Sequence, residues 1–312
     1  MSIAESPIVN RVWEWQGLPI NYQQVGDSGP ALVLIHGFGA SVGHWRKNIP
    51  ALAQQHRVFA LDLLGFGKSA KPAPGEPLPY DFETWGAQVA DFVKEIVGEP
   101  GFLVGNSIGG VVALQAAVLA PEQSRGVVLV DCALRQICDR KLHTQPPMRR
   151  LGRPALKKVL QNRALVHWLF AQIARPGRIR AVLRTAYGNP EAVTDELIEL
   201  LLEPAREPGA ADVFWAFINN FDGPLPEDLL PQISCPALIL WGTADPWEPI
   251  ALGRELANFP AVEDFIALDG AGHCPQDEVP ELVNGHLSAW VARHAAISAQ
   301  PPVIPVGKGV GR

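Results

Sequence analysis

Cysteine is scarce: four residues in 312, Cys132, Cys138, Cys235 and Cys274, none of them in C-x-x-C spacing. A disulfide framework or a zinc site is thereby disfavoured, and reduced, mostly buried thiols are expected. An excess of positive charge is also missing. With 26 Lys and Arg against 32 Asp and Glu, the net charge is -6, so the long-range attraction to phosphate on which nucleic-acid binding rests is absent and no nucleic acid is expected as a partner. Uninterrupted apolar runs are lacking: the longest apolar stretch, Leu103 to Ala120, is broken by Gly105, Asn106, Ser107 and the pair Gly109-Gly110, which excludes it as a membrane span. The opening MSIAESPIVNRVWEW has no basic segment leading into an apolar one and no Arg/Ser-rich amphipathic stretch, so neither a secretory signal nor a transit peptide is readable and a cytoplasmic address is expected. His/carboxylate clusters at ligand spacing, G-x-G-x-x-G and a phosphate loop are all missing, so neither a metal nor a nucleotide or redox cofactor is expected.

What is present is a chain that can fold. Hydrophobic residues make up 47% and charged residues 19%, the reverse of the balance that keeps a chain disordered. Short β-branched or Leu-rich runs alternate with helical patterns, the mark of an α/β protein with a mainly parallel sheet covered on both faces. Eight strands are expected, at Arg11–Gln16, Asn21–Val25, Ala31–His36, Val58–Asp62, Phe102–Asn106, Gly126–Asp131, Ala237–Trp241 and Asp264–Leu268. Helices are expected at His44–Gln55, Phe82–Val97, Gly109–Leu119, Ile250–Phe259 and Val279–His294. The alternation stops after Asp131 and resumes at Pro236. The implied organisation is a first core segment over 1–132, a helical cap inserted over 133–232, a second core segment over 233–297 and a loose Pro/Gly-rich tail over 298–312.

Two apolar stripes at helical spacing run through the insertion, one of Leu156, Val159, Leu160, Val166, Leu169, Phe170 and Ile173, the other of Phe214, Phe217, Ile218 and Phe221. Core packing within the cap accounts for such stripes, and a roof over a site beneath is the alternative use. Charge is polarised in this region. From Arg135 to Arg184 there are 13 Lys or Arg against the single acid Asp139, and from Thr185 to Leu230 there are 10 Asp or Glu against the single base Arg206. Either the two halves pair with each other, or Lys157, Lys158, Arg163, Arg178, Arg180 and Arg184 face an anionic membrane surface.

The chemistry centres on Phe102-Leu-Val-Gly-Asn-Ser-Ile-Gly-Gly110, a G-x-S-x-G pattern between a strand and an apolar helix. A sharp strand-to-helix turn crowds its neighbours, so glycine two before and two after Ser107 is what a nucleophile elbow requires, and Gly110 lets the helix pack closely. A serine hydroxyl needs a base, and the base needs an acid to hold its tautomer. Asp245 follows the strand Ala237–Trp241 and His273 follows the strand Asp264–Leu268, both at carboxyl ends where open α/β sheets place ligands. The order Ser107, Asp245, His273 is the one hydrolases of this architecture use. Asp131, at the end of the central strand before the insertion, is the reserve acid. Oxyanion stabilisation would come from the backbone N–H groups of Ile108 and of Phe38, the latter in the glycine-bearing loop His36-Gly-Phe-Gly-Ala-Ser41.

With His36-Gly37, the stretch LDLLGFGKS from Leu61 to Ser69, the elbow GNSIGG, Asp245 and His273 in register, the chain resembles the α/β-hydrolase superfamily from about Asn10 to His294. The resemblance implies the α/β-hydrolase fold and a Ser-His-Asp hydrolase that is acylated on Ser107 and released by water. Serine at the elbow sets it apart from superfamily members that use aspartate there, the haloalkane dehalogenases and epoxide hydrolases, and makes ester hydrolysis the leading chemistry. Trp241-Gly-Thr-Ala-Asp-Pro-Trp-Glu-Pro249, Leu252-Gly-Arg254 and Gly272-His-Cys-Pro-Gln-Asp-Glu278 look like the plant and cyanobacterial pheophytinase and chlorophyll dephytylase group. That likeness implies removal of the phytyl ester of chlorophyll or pheophytin, a cyanobacterial member or a mature form, and an enzyme peripheral on the thylakoid membrane. A phytyl chain and a flat macrocycle need a large apolar slot, for which Trp168, Phe170, Phe214, Trp215 and Phe217 are the candidates. A general carboxylesterase, a carbon–carbon bond hydrolase and a cofactor-free perhydrolase share such a triad. An Arg-lined cap cavity would favour the carbon–carbon hydrolase, and a non-catalytic receptor or scaffold on the same fold is the alternative outside enzymes.

Overall fold

The computed structural model describes residues 8–298 except Glu76, Ile137 and Phe221; the expected tail beyond its first residue, and Phe221 of the second stripe, lie outside the described residues. Eight strands form one sheet: β1 (Asn10–Trp15), β2 (Leu18–Val25), β3 (Ala31–Ile35), β4 (Arg57–Leu61), β5 (Gly101–Asn106), β6 (Ser124–Val130), β7 (Ala237–Gly242) and β8 (Val262–Leu268). Their spatial order is β1-β2-β4-β3-β5-β6-β7-β8. Only β2 runs against the rest.

The interior strands are buried on both faces because successive side chains alternate. Ala31, Val33 and Ile35 of β3 face one apolar layer, and Leu32 and Leu34 face the other; in β7, Ala237, Ile239 and Trp241 oppose Leu238 and Leu240 in the same way. Each such side chain, wholly withdrawn from water, contributes about 1.5–3 kcal/mol.

The expected helix over His44–Gln55 is instead a 3-10 turn at Val42–Trp45 and a single turn, α1 (Ile49–Leu52). Pro50 is the reason: lacking an N–H, it is tolerated in the first turn of a helix and not in the middle of one. The helix α2 (Phe82–Phe92) starts at Asp81, whose Oδ1 accepts the N–H of Thr84 at 2.8 Å, and widens into a π turn over Val93–Val97. With α3 (Ile108–Leu119) it covers the Ala31/Val33/Ile35 layer.

Between β6 and β7 the described residues form α4 (Pro147–Leu160), α5 (Arg163–Ile173), α6 (Pro176–Ala186), α7 (Asp195–Ala205), α8 (Ala210–Asn219) and the short α9 (Pro226–Leu229), with no strand among them. The expected helix from Ile250 is one turn, α10 (Ile250–Gly253), continued as a 3-10 turn over Arg254–Asn258. The short α11 (Pro275–Glu278) leads into α12 (Pro280–Ser298), which with α1 covers the Leu32/Leu34 layer through Val283, Leu287 and Trp290. The inserted helices have a small apolar core of their own, Leu183, Tyr187, Leu197 and Leu202, into which Cys274 reaches from the residue after His273. All four cysteines are buried and unbonded.

Charge pairing across the insertion is partial. Arg140 pairs with Asp228, Lys141 with Glu227, Arg163 with Asp212 and Arg180 with Asp195, while Arg153 and Lys157 both pair with Asp139 inside the basic half. Three residues expected on a free basic face, Lys157, Arg163 and Arg180, are thus already neutralised by carboxylates; Lys158, Arg178 and Arg184 are exposed. The first apolar stripe also departs from expectation: Leu156, Val159 and Ile173 lie at the surface rather than inside the cap. No helix among the described residues is long and apolar enough to cross a membrane.

Candidate active site

Ser107 joins β5 to α3 with φ 54° and ψ -121°, a left-handed backbone that a serine adopts only when its surroundings hold it there. The neighbouring glycines make this turn possible. A Cβ on Gly105 would stand 2.1 Å from the carbonyl oxygen of Gly109, and one on Gly109 would stand 2.4 Å and 2.6 Å from those of Ile35 and His36. A Cβ on Gly110 would meet the Cys132 sulfur at 2.8 Å.

At the carboxyl ends of β5, β7 and β8 three side chains meet. The Ser107 Oγ lies 3.0 Å from His273 Nε2, and His273 Nδ1 lies 2.7 Å from Asp245 Oδ2. Asp245 is itself fixed, its Oδ1 accepting the N–H groups of Trp247 at 2.8 Å and Glu248 at 3.0 Å. A carboxylate accepts only, so it places the imidazole proton on Nδ1 and leaves Nε2 free to accept from the hydroxyl. The His273 backbone is held from two sides: its N–H donates to Ala186 O at 2.8 Å, and its carbonyl accepts from Asn106 Nδ2 at 3.1 Å.

Asp131, the reserve acid, does not reach His273. Its two oxygens accept the Gly242 N–H at 2.9 Å and 3.2 Å, and its carboxyl hydrogen-bonds to Asp245. Burial and the adjacent Asp245 charge push its pKa well above the usual carboxylate range. Glu248 shares this environment. Burial, with Asp245 adding, raises its pKa to about 8, and its Oε2 is buried without a partner.

Phe38 lies in the loop after β3, against the elbow: a Cβ on the preceding Gly37 would sit 3.3 Å from Ser107 Cβ. Ile108 is the first residue of α3, so its N–H has no acceptor inside the helix. Two supports of this loop were not singled out from the sequence. His36, kept neutral by burial, accepts the Leu63 N–H through Nε2 at 3.1 Å; the buried Asp62 gathers the N–H groups of Val42 and Lys68 at 2.7 Å and 2.8 Å. A third missed residue is Glu278, whose carboxylate accepts the N–H groups of Gly188 at 2.7 Å and Gly272 at 3.0 Å and so ties the cap to the His273 loop. The signal for Asp62 lay in LDLLGFGKS, where Gly67 leaves room for the carboxylate.

Aromatic rings roof the site. Phe38 stacks on Phe217 with centroids 4.1 Å apart and lies 6.0 Å from Phe214, which in turn is 5.2 Å from Phe170. Of the five apolar candidates, Phe170, Phe214 and Phe217 are therefore brought together. Trp168 is turned outward and 59% exposed, and Trp215 lies under the Arg163 guanidinium. Trp247, not singled out from the sequence, lies 5.0 Å from the His273 ring and is 46% exposed. Arg135 is consumed by the carbonyls of Pro224 and Asp222 at 2.7 Å and 2.6 Å and by the face of Phe82.

A family model described as the alpha/beta hydrolase family matches residues 32–286. The chain belongs to the α/β-hydrolase family. This α/β-hydrolase is 26% identical over 89% of its length to the chloroplastic pheophytinase of Arabidopsis thaliana, a match that spans 65% of that protein. It is 38% identical to a 2-hydroxy-6-oxo-6-(2'-aminophenyl)hexa-2,4-dienoic acid hydrolase of Metapseudomonas resinovorans, with 95% of each chain covered. A solved serine hydrolase of carbazole degradation superposes with a TM-score of 0.72 over 92% of this chain and 100% of that one; at 22% identity the likeness speaks for the fold alone.

Proposed function

We propose that this α/β-hydrolase cleaves carboxylic esters by way of an acyl-enzyme on Ser107. The observation that carries the proposal is the unbroken chain of contacts from Ser107 Oγ through His273 to Asp245, at 3.0 Å and 2.7 Å. Ser107 Oγ attacks the ester carbonyl carbon and its proton passes to His273 Nε2, while Asp245 stabilises the resulting imidazolium. The N–H groups of Phe38 and Ile108 are assigned to the oxygen that becomes negative, a contribution of several kcal/mol to the barrier. Collapse expels the alcohol, which takes the proton from His273. Water, deprotonated by His273, then attacks the acyl carbon, and the carboxylic acid leaves as Ser107 regains its proton.

The substrate class we assign is an apolar ester, with the phytyl ester of chlorophyll or pheophytin as the leading case and the thylakoid surface as its source. The aromatic roof of Phe38, Phe170, Phe214 and Phe217 supports this, as does the likeness to pheophytinase. Carbon–carbon bond hydrolysis is the second activity to weigh, favoured by the 38% identity to a dienoic acid hydrolase. Against it stands Arg135, whose donors are spent on backbone carbonyls rather than on a carboxylate-binding pocket.

The test offers the purified protein chlorophyll a and pheophytin a in detergent micelles, p-nitrophenyl esters of rising chain length and a dienoic acid ring-cleavage product, with Ser107→Ala as the blank. Release of phytol and the de-esterified pigment, lost in Ser107→Ala, is expected. Turnover of nitrophenyl esters alone would remove the pigment, and turnover of the dienoate alone would remove ester hydrolysis.

A further inference from the structure

The helix α4 is built inside out. Its contact with the protein is polar: Arg153 is buried, and both Arg153 and Lys157 pair with Asp139. The opposite face carries Met148, Leu151, Ala155 and Val159, spaced i, i+3, i+7 and i+11, which brings them onto one side of a helix. Met148 is 84% and Leu151 83% exposed. Single exposed apolar residues are ordinary, but a continuous apolar helix face turned to water marks an interaction surface.

Charge selects the occupant. Lys158 and Arg149 stand on either side of this face, and Arg150 further round the helix; all three are exposed and without a carboxylate partner among the described residues. Arg175, Arg178 and Arg184 are exposed as well, and no Asp or Glu occurs anywhere between Asp139 and Glu191. A second copy docked two-fold on the same face would bring these charges against themselves. An anionic lipid surface instead takes the apolar side chains into its acyl boundary and the cations into its headgroups.

We propose that α4 is a membrane-docking helix that seats the protein on anionic lipid bilayers. Docked so, the cap faces the lipid on which an apolar ester is dissolved. The helix packs on α5 and α8, and α8 bears the Phe214 and Phe217 of the roof. The docking itself does not depend on the ester chemistry.

The experiment is flotation of the purified protein with vesicles of phosphatidylglycerol and phosphatidylcholine in equal parts, and with phosphatidylcholine alone, at low and high salt. Binding to the anionic vesicles that weakens with salt is expected. The double variant Met148→Glu/Leu151→Glu should lose roughly tenfold or more in partitioning, and Arg149→Ser/Arg150→Ser/Lys158→Ser should lose the preference for anionic lipid. Because these side chains lie at the surface, melting temperature is expected to stay within a few degrees of the parent, which certifies the fold even if no ester is turned over. Equal binding to neutral vesicles, no binding to either, or full binding by the Glu double variant overturns the proposal. So does a concentration-dependent dimer that the Glu double variant dissolves while vesicles bind nothing, since a second copy would then cover the face.

Discussion

The carboxyl group of Asp131 hydrogen-bonds to that of Asp245, and of the two only Asp245 touches His273, at 2.7 Å. Two acids at the carboxyl ends of neighbouring strands β6 and β7 thus divide their contacts, Asp131 on the Gly242 N–H and Asp245 on His273. Burial pushes the Asp131 pKa up, which favours the form that can donate to Asp245 over the one that repels it.

This division predicts opposite outcomes for the same chemical change. Asp131→Asn keeps an acceptor for the Gly242 N–H and a donor toward Asp245, and kcat is expected to stay within a few-fold of the parent. Asp245→Asn removes the acceptor that fixes the His273 tautomer and is expected to lower kcat by about three to four orders of magnitude. Steady-state kinetics on a nitrophenyl ester checks both, and comparable losses would reverse the assignment of the two acids.

A second expectation concerns stability against pH. Glu248 titrates near 8 in the folded protein and near the ordinary glutamate value when unfolded, so between these values the unfolded chain has lost a proton that the folded chain keeps. Stability contributed at this site therefore falls as pH rises from about 4.5 to about 8 and levels off above. Glu248→Gln cannot titrate. Its melting temperature should match the parent at pH 5 and exceed it at pH 9; a constant difference across that range would show Glu248 to be ionised throughout.

The roof should read chain length. Phe217→Ala removes the ring stacked on Phe38. We expect KM for nitrophenyl esters of long acids to change several-fold while kcat for the acetate is nearly unchanged. A uniform loss across all chain lengths would place Phe217 in the fold alone.

The elbow glycines are constrained by backbone, not by side chains that could move aside. Gly109→Ala puts a methyl group 2.4 Å from the Ile35 carbonyl oxygen, and a loss of about 1–3 kcal/mol in unfolding free energy is expected from overpacking. Denaturant titration measures it, and an unchanged midpoint would mean the turn relaxes freely.

Much of the site was legible because its signals are local. The glycines around Ser107 answer to a turn three residues long, and Asp245 and His273 each follow directly on a strand whose apolar run is plain. The count of eight strands followed from the same runs, while their spatial order did not. The cap was harder, since apolar spacing shows that a helix has a face but not where that face points. In α4 the buried side is decided by Asp139, a partner outside the helix, and the apolar side is left to solvent. Phe214 and Trp215 are adjacent and stand about 100° apart around a helix, and they meet different partners, Phe38 and Phe170 for the one and Arg163 for the other. Pro50 announced the break in the expected helix over His44–Gln55.

The most direct test of the ester hydrolase account is intact-mass and peptide mapping of the protein after brief reaction with a fluorophosphonate, a reagent that traps activated serines, run beside Ser107→Ala and His273→Ala. The account predicts a single adduct on the peptide bearing Ser107, absent in Ser107→Ala and formed at least about a hundredfold more slowly in His273→Ala. An adduct on another residue, or labelling of Ser107 at the same rate without His273, would contradict it.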